Sequence, residues 1–178
     1  SDGVKTGTLK LFIELHIADN ASVDFTLLQN CNPDTQVEIS QRSQIGANAE
    51  VHFRNVTLGG NKVEHDLLSR IEGEKSRSSI DWIFYGKDEE QQKLSARNVF
   101  DAPDGSGEIT VQGVAQNKAH TAFDGIIDIT EQGGGTDAYL TENVLMLDRT
   151  AKVDAVPQLE IKTNDVKASH SATVSKVS

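Results

Sequence analysis

Side chains alternate without a break in TLKLFIELHI, residues 8–17. Leu9, Leu11, Ile13, Leu15 and Ile17 fall on one face of an extended chain, and Thr8, Lys10, Phe12, Glu14 and His16 on the other. Successive strand residues point to opposite sides, so a period of two specifies a strand with one buried face. The pattern returns in SVDFTL (22–27), TQVEIS (35–40), AEVHFRNVTL (49–58), SIDWIFY (79–85), GEITVQGV (107–114), FDGIIDI (123–129) and QLEIKT (158–163). The closing stretch NDVKASHSATVSKVS (164–178) alternates in the same way and carries His170 among small polar residues.

These strands start about every 13 to 16 residues, with turn residues between them. Gly46, Gly59, Gly73 and Gly86 follow the same beat, at intervals of 13, 14 and 13 residues. One strand plus one corner, repeated, produces that rhythm. NKVEHDLLSRIEG (61–73) fits helical spacing as well as alternation, and its bracketing glycines make it a strand. KDEEQQKLSARNVF (87–100) reads locally as a helix start, and its type stays open.

Many even strands with short corners suit a sandwich, a barrel or a β-helix. Only 5% of residues are aromatic. Sandwich cores lean on a few large aromatics, whereas stacked coils can be filled by Val, Ile, Leu and Ala, which favours an all-β solenoid. The 178 residues suit one domain, 1–178.

A net charge of −10 without a basic run excludes nucleic acid, a polyanion that needs clustered Lys and Arg. The longest apolar runs, such as VLML (144–147), are far too short to span a bilayer, so no membrane partner is expected. Cys31 is the single cysteine, which leaves no internal disulfide and fits a reducing compartment such as the cytoplasm.

GGGTDA (133–138) fits a dinucleotide-binding fingerprint, with helical spacing in DAYLTENVLMLDR behind it and Asp154 placed for a ribose. An NAD-binding oxidoreductase is therefore one alternative, although about 120 residues of strand rhythm precede the motif. The competing reading is a Gly-rich corner. There is no G-x-S-x-G, and Cys31 in QNCNPD reads as an incidental thiol in a turn. The histidines at 16, 52, 65, 120 and 170 are dispersed, with no metal-ligand spacing. A carbohydrate-active β-helix, the other alternative, would gather carboxylates on one coil face. The dense groups EHD (64–66) and KDEE (87–90) read as solvated edges.

The C-terminal third carries a resemblance. FDGIIDIT (123–130) is followed by TDAYLTENVLMLDRTAKVDAVPQLEIKTNDVKASHSATVSKV (136–177). The F-x-G-x-I-x-I strand with its TDA corner, PQLEI before NDVKASH, and SHSATVSKV with its H-x-A-T order are similar to the SufB/SufD family of iron–sulfur cluster assembly scaffolds. The likeness extends more weakly to residues 55–92, from NVTLGG onward.

That resemblance implies a right-handed parallel β-helix and a non-catalytic scaffold subunit. It implies a SufB-like paralogue as partner, or a homodimer through the C-terminal β-helix edge. It also implies a SufC-type ABC ATPase and a nascent iron–sulfur cluster built in the complex, with no cofactor in the isolated chain. Two departures stand out. The family's N-terminal helical region and the C-terminal helical segment that docks the ATPase are not in these 178 residues. The SufB branch carries a cysteine in the strand aligned with LTENVLML (140–147), and this chain has none there, so it is more like SufD.

His170 falls on the histidine of H-x-A-T, and the likeness makes it the candidate cluster-assembly, interface or metal-binding residue. Imidazole in general changes charge at about pH 6.5, which suits it to metal ligation or proton transfer. His120 and Cys31 are expected to be replaceable.

Overall fold

The computed structural model describes residues 7–177. Twelve strands follow one another: β1 (Gly7–Ile17), β2 (Ser22–Cys31), β3 (Thr35–Ile45), β4 (Glu50–Gly59), β5 (Lys62–Ile71), β6 (Arg77–Gly86), β7 (Gln91–Phe100), β8 (Ser106–Ala115), β9 (His120–Ile129), β10 (Asp137–Met146), β11 (Lys152–Ile161) and β12 (Lys167–Lys176). No helix occurs among the described residues. In particular, no helix is long and apolar enough to cross a membrane.

Odd-numbered strands form one sheet, in the order β1-β3-β5-β7-β9-β11, and even-numbered strands form the other. The pairing is parallel throughout, as in β1 with β3 and β10 with β12. Each coil is therefore one odd and one even strand, and six coils stack into a flattened β-solenoid. The pairs Gly7↔Thr35, Gln36↔Lys62 and His120↔Lys152 set equivalent positions 28, 26 and 32 residues apart. The glycine interval of 13 or 14 residues is half a coil.

Alternation assigns the faces. Ile17, Ile45, Ile71, Phe100, Ile129 and Ile161 form one register column of the odd sheet, buried as far as Ile129 and exposed at Ile161. Burying one such side chain contributes roughly 1.5–3 kcal/mol. Aromatics do more of the filling than low aromatic content suggests, since Phe53, Trp82, Phe84, Phe100 and Phe123 are the largest fully buried side chains. Outside, ion pairs such as Lys10–Glu38 (2.7 Å) and Arg77–Glu108 (3.1 Å) link successive coils.

One corner repeats with its backbone. Asn20, Asn48, Lys75, Asp104 and Gly135 all sit between an odd strand and the next even one, at φ of 61, 53, 58, 58 and 77°. Their N–H groups donate to the carbonyls of Ala47 (2.8 Å), Glu74 (2.9 Å), Pro103 (3.1 Å), Gly134 (2.8 Å) and Asp165 (2.6 Å) in the next coil. The left-handed conformation turns each N–H along the stack. Gly, Asn and Asp tolerate it best, because their short or absent side chains avoid the following carbonyl.

GGGTDA is the fifth of these corners. Strand β10 follows it at Asp137, where a dinucleotide fingerprint requires a helix. Leu140 and Val144 are buried alternately along that strand instead of lying on a helix face. Residues 91–100, left open by sequence, are strand β7, and the acidic start of that segment is a corner. EHD is not a simple solvated edge, because His65 points inward and is 3% exposed. In KDEE, Glu90 is buried and accepts from the Lys87 N–H at 3.1 Å.

Candidate functional site

Strands β11 and β12 stand last in the two sheets, and no further strand among the described residues pairs with their outer edges. Lys167 and Val177 donate their N–H groups to Thr136 (2.9 Å) and Met146 (3.0 Å), so odd-numbered residues of β12 bond to β10. In a strand the N–H and C=O of one residue point the same way, so those of Ala168, His170, Ala172, Val174 and Lys176 face the open edge. On β11, Lys152 and Lys162 donate to Ala119 and Ile129, both at 2.9 Å. Odd residues of that strand face outward, and the missing N–H of Pro157 falls on the open edge. Proline is tolerated at such a place because the ladder loses nothing. The unbroken row of donors belongs to β12.

His170 lies in that row. Its register partner is Leu140, at the end of the column Phe25, Phe53, Ile80, Ile109, Leu140. The column is apolar until its last place, where an imidazole stands exposed with Ala172 beside it. Four histidines have hydrogen-bond partners: His16 with Glu14 (3.1 Å), His52 with Asp81 (2.7 Å), His65 with Gln41 (3.3 Å) and His120 with Asp154 (2.8 Å). Among the described residues His170 has none.

The structure does not gather the other sequence candidates around it. Cys31 ends β2 in the first coil, at the opposite end of the solenoid. It is not a turn residue but a half-buried inward side chain packed on the core. His120 is held on the outer face by Asp154. No group of three His, Cys, Asp or Glu residues able to hold a metal occurs among the described residues.

Glu142 was not singled out by sequence reasoning. It pairs with Ala172 in register, two places along from Leu140 and on the same inner face as His170. It is 1% exposed, and neither carboxyl oxygen has a hydrogen-bond partner. Burial, helped by the charge of Asp124, pushes this carboxyl up to about 7. It points across the core at Gly125, where an added Cβ would lie 2.6 Å from Oε1. The signal was in the sequence: in AYLTENVLM the alternation puts Glu142 with Ala138, Leu140 and Val144 on the apolar face.

The SufBD core domain of the SUF iron–sulfur cluster assembly system matches residues 2–178. A SufBD-family iron–sulfur cluster assembly protein of Mycobacterium tuberculosis is 22% identical over 178 residues, which are 100% of this chain and 21% of that protein. SufD of Escherichia coli is 26% identical over 165 residues, 92% of this chain and 38% of SufD. SufD of Bacillus subtilis is 23% identical over 174 residues, 97% of this chain and 40% of its own length. The chain thus spans two fifths or less of these curated relatives.

Proposed function

The chain belongs to the SufBD core family of iron–sulfur cluster assembly proteins, and on that premise we propose that it is the solenoid core of a non-catalytic, SufD-like scaffold subunit. Its working end is the terminal coil. The observation that carries this reading is His170: exposed, without a hydrogen-bond partner among the described residues, and set in β12, which pairs with β10 on one edge and with no described strand on the other.

A scaffold with one thiol needs a partner. Iron–sulfur clusters are usually held by four cysteine thiolates, with histidine replacing some of them. This chain offers one cysteine, Cys31, five coils away from His170. A SufB-like paralogue docked along β12 would bring its own thiol beside the imidazole. Without that paralogue, two copies of β12 would pair about a two-fold axis into a homodimer. A SufC-type ATPase would bind through a helical segment outside these 178 residues. The nascent cluster is cargo of the assembled complex, and the setting is the cytoplasm.

The deciding experiment is reconstitution of cluster assembly by the full-length protein with its partners. His170→Ala is expected to abolish cluster formation while leaving fold and association intact, and Cys31→Ser and His120→Ala are expected to be silent. Normal cluster formation by His170→Ala would overturn the role.

A further inference from the structure

We propose that the outer face of the even sheet docks an amphipathic α-helix of a partner protein, laid along the stack and basic on its polar side. The surface lies on β2 to β10, and it does not depend on the role of His170.

That face has two halves. Toward the strand starts, outward side chains are charged and tied across coils, as in Arg54–Asp24 (2.8 Å), His52–Asp81 (2.7 Å) and Arg77–Glu108 (3.1 Å). Toward the strand ends they are apolar. Register sets Leu28, Val56 and Ile83 in one column, and Tyr85, Val114 and Leu145 in the next. Leu28 is 62% exposed, Ile83 49% and Leu145 37%. The Tyr85 hydroxyl donates to Gln116, which leaves its ring as apolar surface. A shallow hollow of about 430 Å³ opens between Ile83, Val114 and Leu145, with Gln112 and Asn143 along it. Single exposed apolar residues are ordinary on a surface, but a continuous stripe over five strands with a charged border marks a contact surface.

Shape selects the occupant. The stripe crosses five strands, about 19 Å along the stack, and is two outward positions wide, about 7 Å. Its area falls far short of the roughly 800 Å² per partner that a stable interface buries, so a second copy is not the occupant. Strands β4, β6, β8 and β10 are paired on both edges, so this face offers no free backbone N–H or C=O. The occupant must therefore satisfy its own backbone, and a helix does. A helical turn of about 5.4 Å stays near the strand spacing of about 4.8 Å, so one apolar residue per turn meets one coil after another. An extended peptide repeats its side chains at about 6.8 Å and falls out of step.

Charge selects the polar side of the helix. In the corners after these strands Asp34, Asp88, Glu89 and Asp148 outnumber Lys87, Lys118 and Arg149. The whole chain carries −10. Lysine and arginine on the helix flanks meet a favourable field there, and acidic residues are repelled.

The probe is a fluorescein-labelled synthetic peptide of about 16 residues, with leucine once per turn on one face and lysine and alanine on the rest. Titrated into the 178-residue protein and followed by anisotropy, it is expected to bind once per chain and to gain helical circular dichroism. Ile83→Thr and Leu145→Thr each place a β-branched side chain on an outward strand position, which keeps the fold. Each should weaken binding at least tenfold. Phe12→Thr, at an exposed aromatic on the outer face of the other sheet, should leave binding unchanged. A peptide with glutamate in place of lysine should bind at least tenfold more weakly. Absence of binding, wild-type affinity in both stripe variants, or a bound peptide that gains no helix would overturn the proposal. A dimer seen by light scattering and dissolved by Ile83→Thr would assign the face to a second copy and overturn it as well.

Discussion

His65 Nε2 lies 3.3 Å from Gln41 Oε1 inside the solenoid, one coil apart in sequence, and both side chains are buried. The imidazole packs against Trp82 with ring centroids 4.5 Å apart and the rings tilted by 58°. Asn55 Nδ2 donates to the same Gln41 oxygen at 3.3 Å. Burial is the cause that lowers the His65 pKa from 6.5 to about 3.

Acid sensitivity follows from that shift. Between pH 6.5 and 3 the unfolded chain binds a proton at residue 65 that the folded chain refuses. Stability is therefore full above pH 6.5 and falls as pH drops through this window, by roughly 1.4 kcal/mol per unit from this group. His65→Leu should flatten the acid limb of a plot of melting temperature against pH. An unchanged limb would show that other groups govern it.

The left-handed corner predicts a stabilising change. Lys75 holds φ 58° at a place where the equivalent corners carry Asn, Asp or Gly. Lys75→Gly removes the Cβ clash and is expected to stabilise by about 1 kcal/mol, read from urea denaturation midpoints. The Lys75 N–H bond to Pro103 is kept in the variant.

Phe84 and Gly113 are register partners whose volumes are complementary, because a Cβ at 113 would collide with the Phe84 ring. Gly113→Ala should cost roughly 1–3 kcal/mol by overpacking. Adding Phe84→Leu should recover part of that loss, and a double-mutant cycle on thermal or chemical unfolding measures the coupling. Strict additivity would contradict the proposed packing.

The edge of β12 can be tested with proline at two adjacent positions. The Val174 N–H faces outward, so Val174→Pro should spare the fold and abolish self-association. The N–H of Ser175 faces β10, so Ser175→Pro should destabilise the terminal coil itself. Light scattering and circular dichroism separate the two effects. Self-association that survives Val174→Pro would place the interface elsewhere.

Much of this architecture was legible locally. Alternation in residues 8–17 or 107–114 assigns inner and outer faces because the side-chain period of a strand depends only on its own backbone. The half-coil beat at Gly46, Gly59, Gly73 and Gly86 was visible for the same reason. Segments 87–100 and 137–147 were harder, since their apolar residues also satisfy a helical period over a few turns. Packing against neighbouring coils settled 91–100 and 137–146 as strands.

Sequence alone thus determined strands, faces and corners, and the H-x-A-T histidine was found only through family likeness. Parallel strand direction was expected only through that same likeness, because the alternation by itself is usual in antiparallel sheets with one wet face. Here parallel pairing joins residues 26 to 32 apart, and no local pattern encodes that choice. Tertiary structure also decided which polar groups stand alone. Alternation marks Glu142 as an acid on an apolar face, but not whether a donor meets it there. Its isolation arises because the stacked coils bring Gly125, Leu140 and Ala172 around it and no donor.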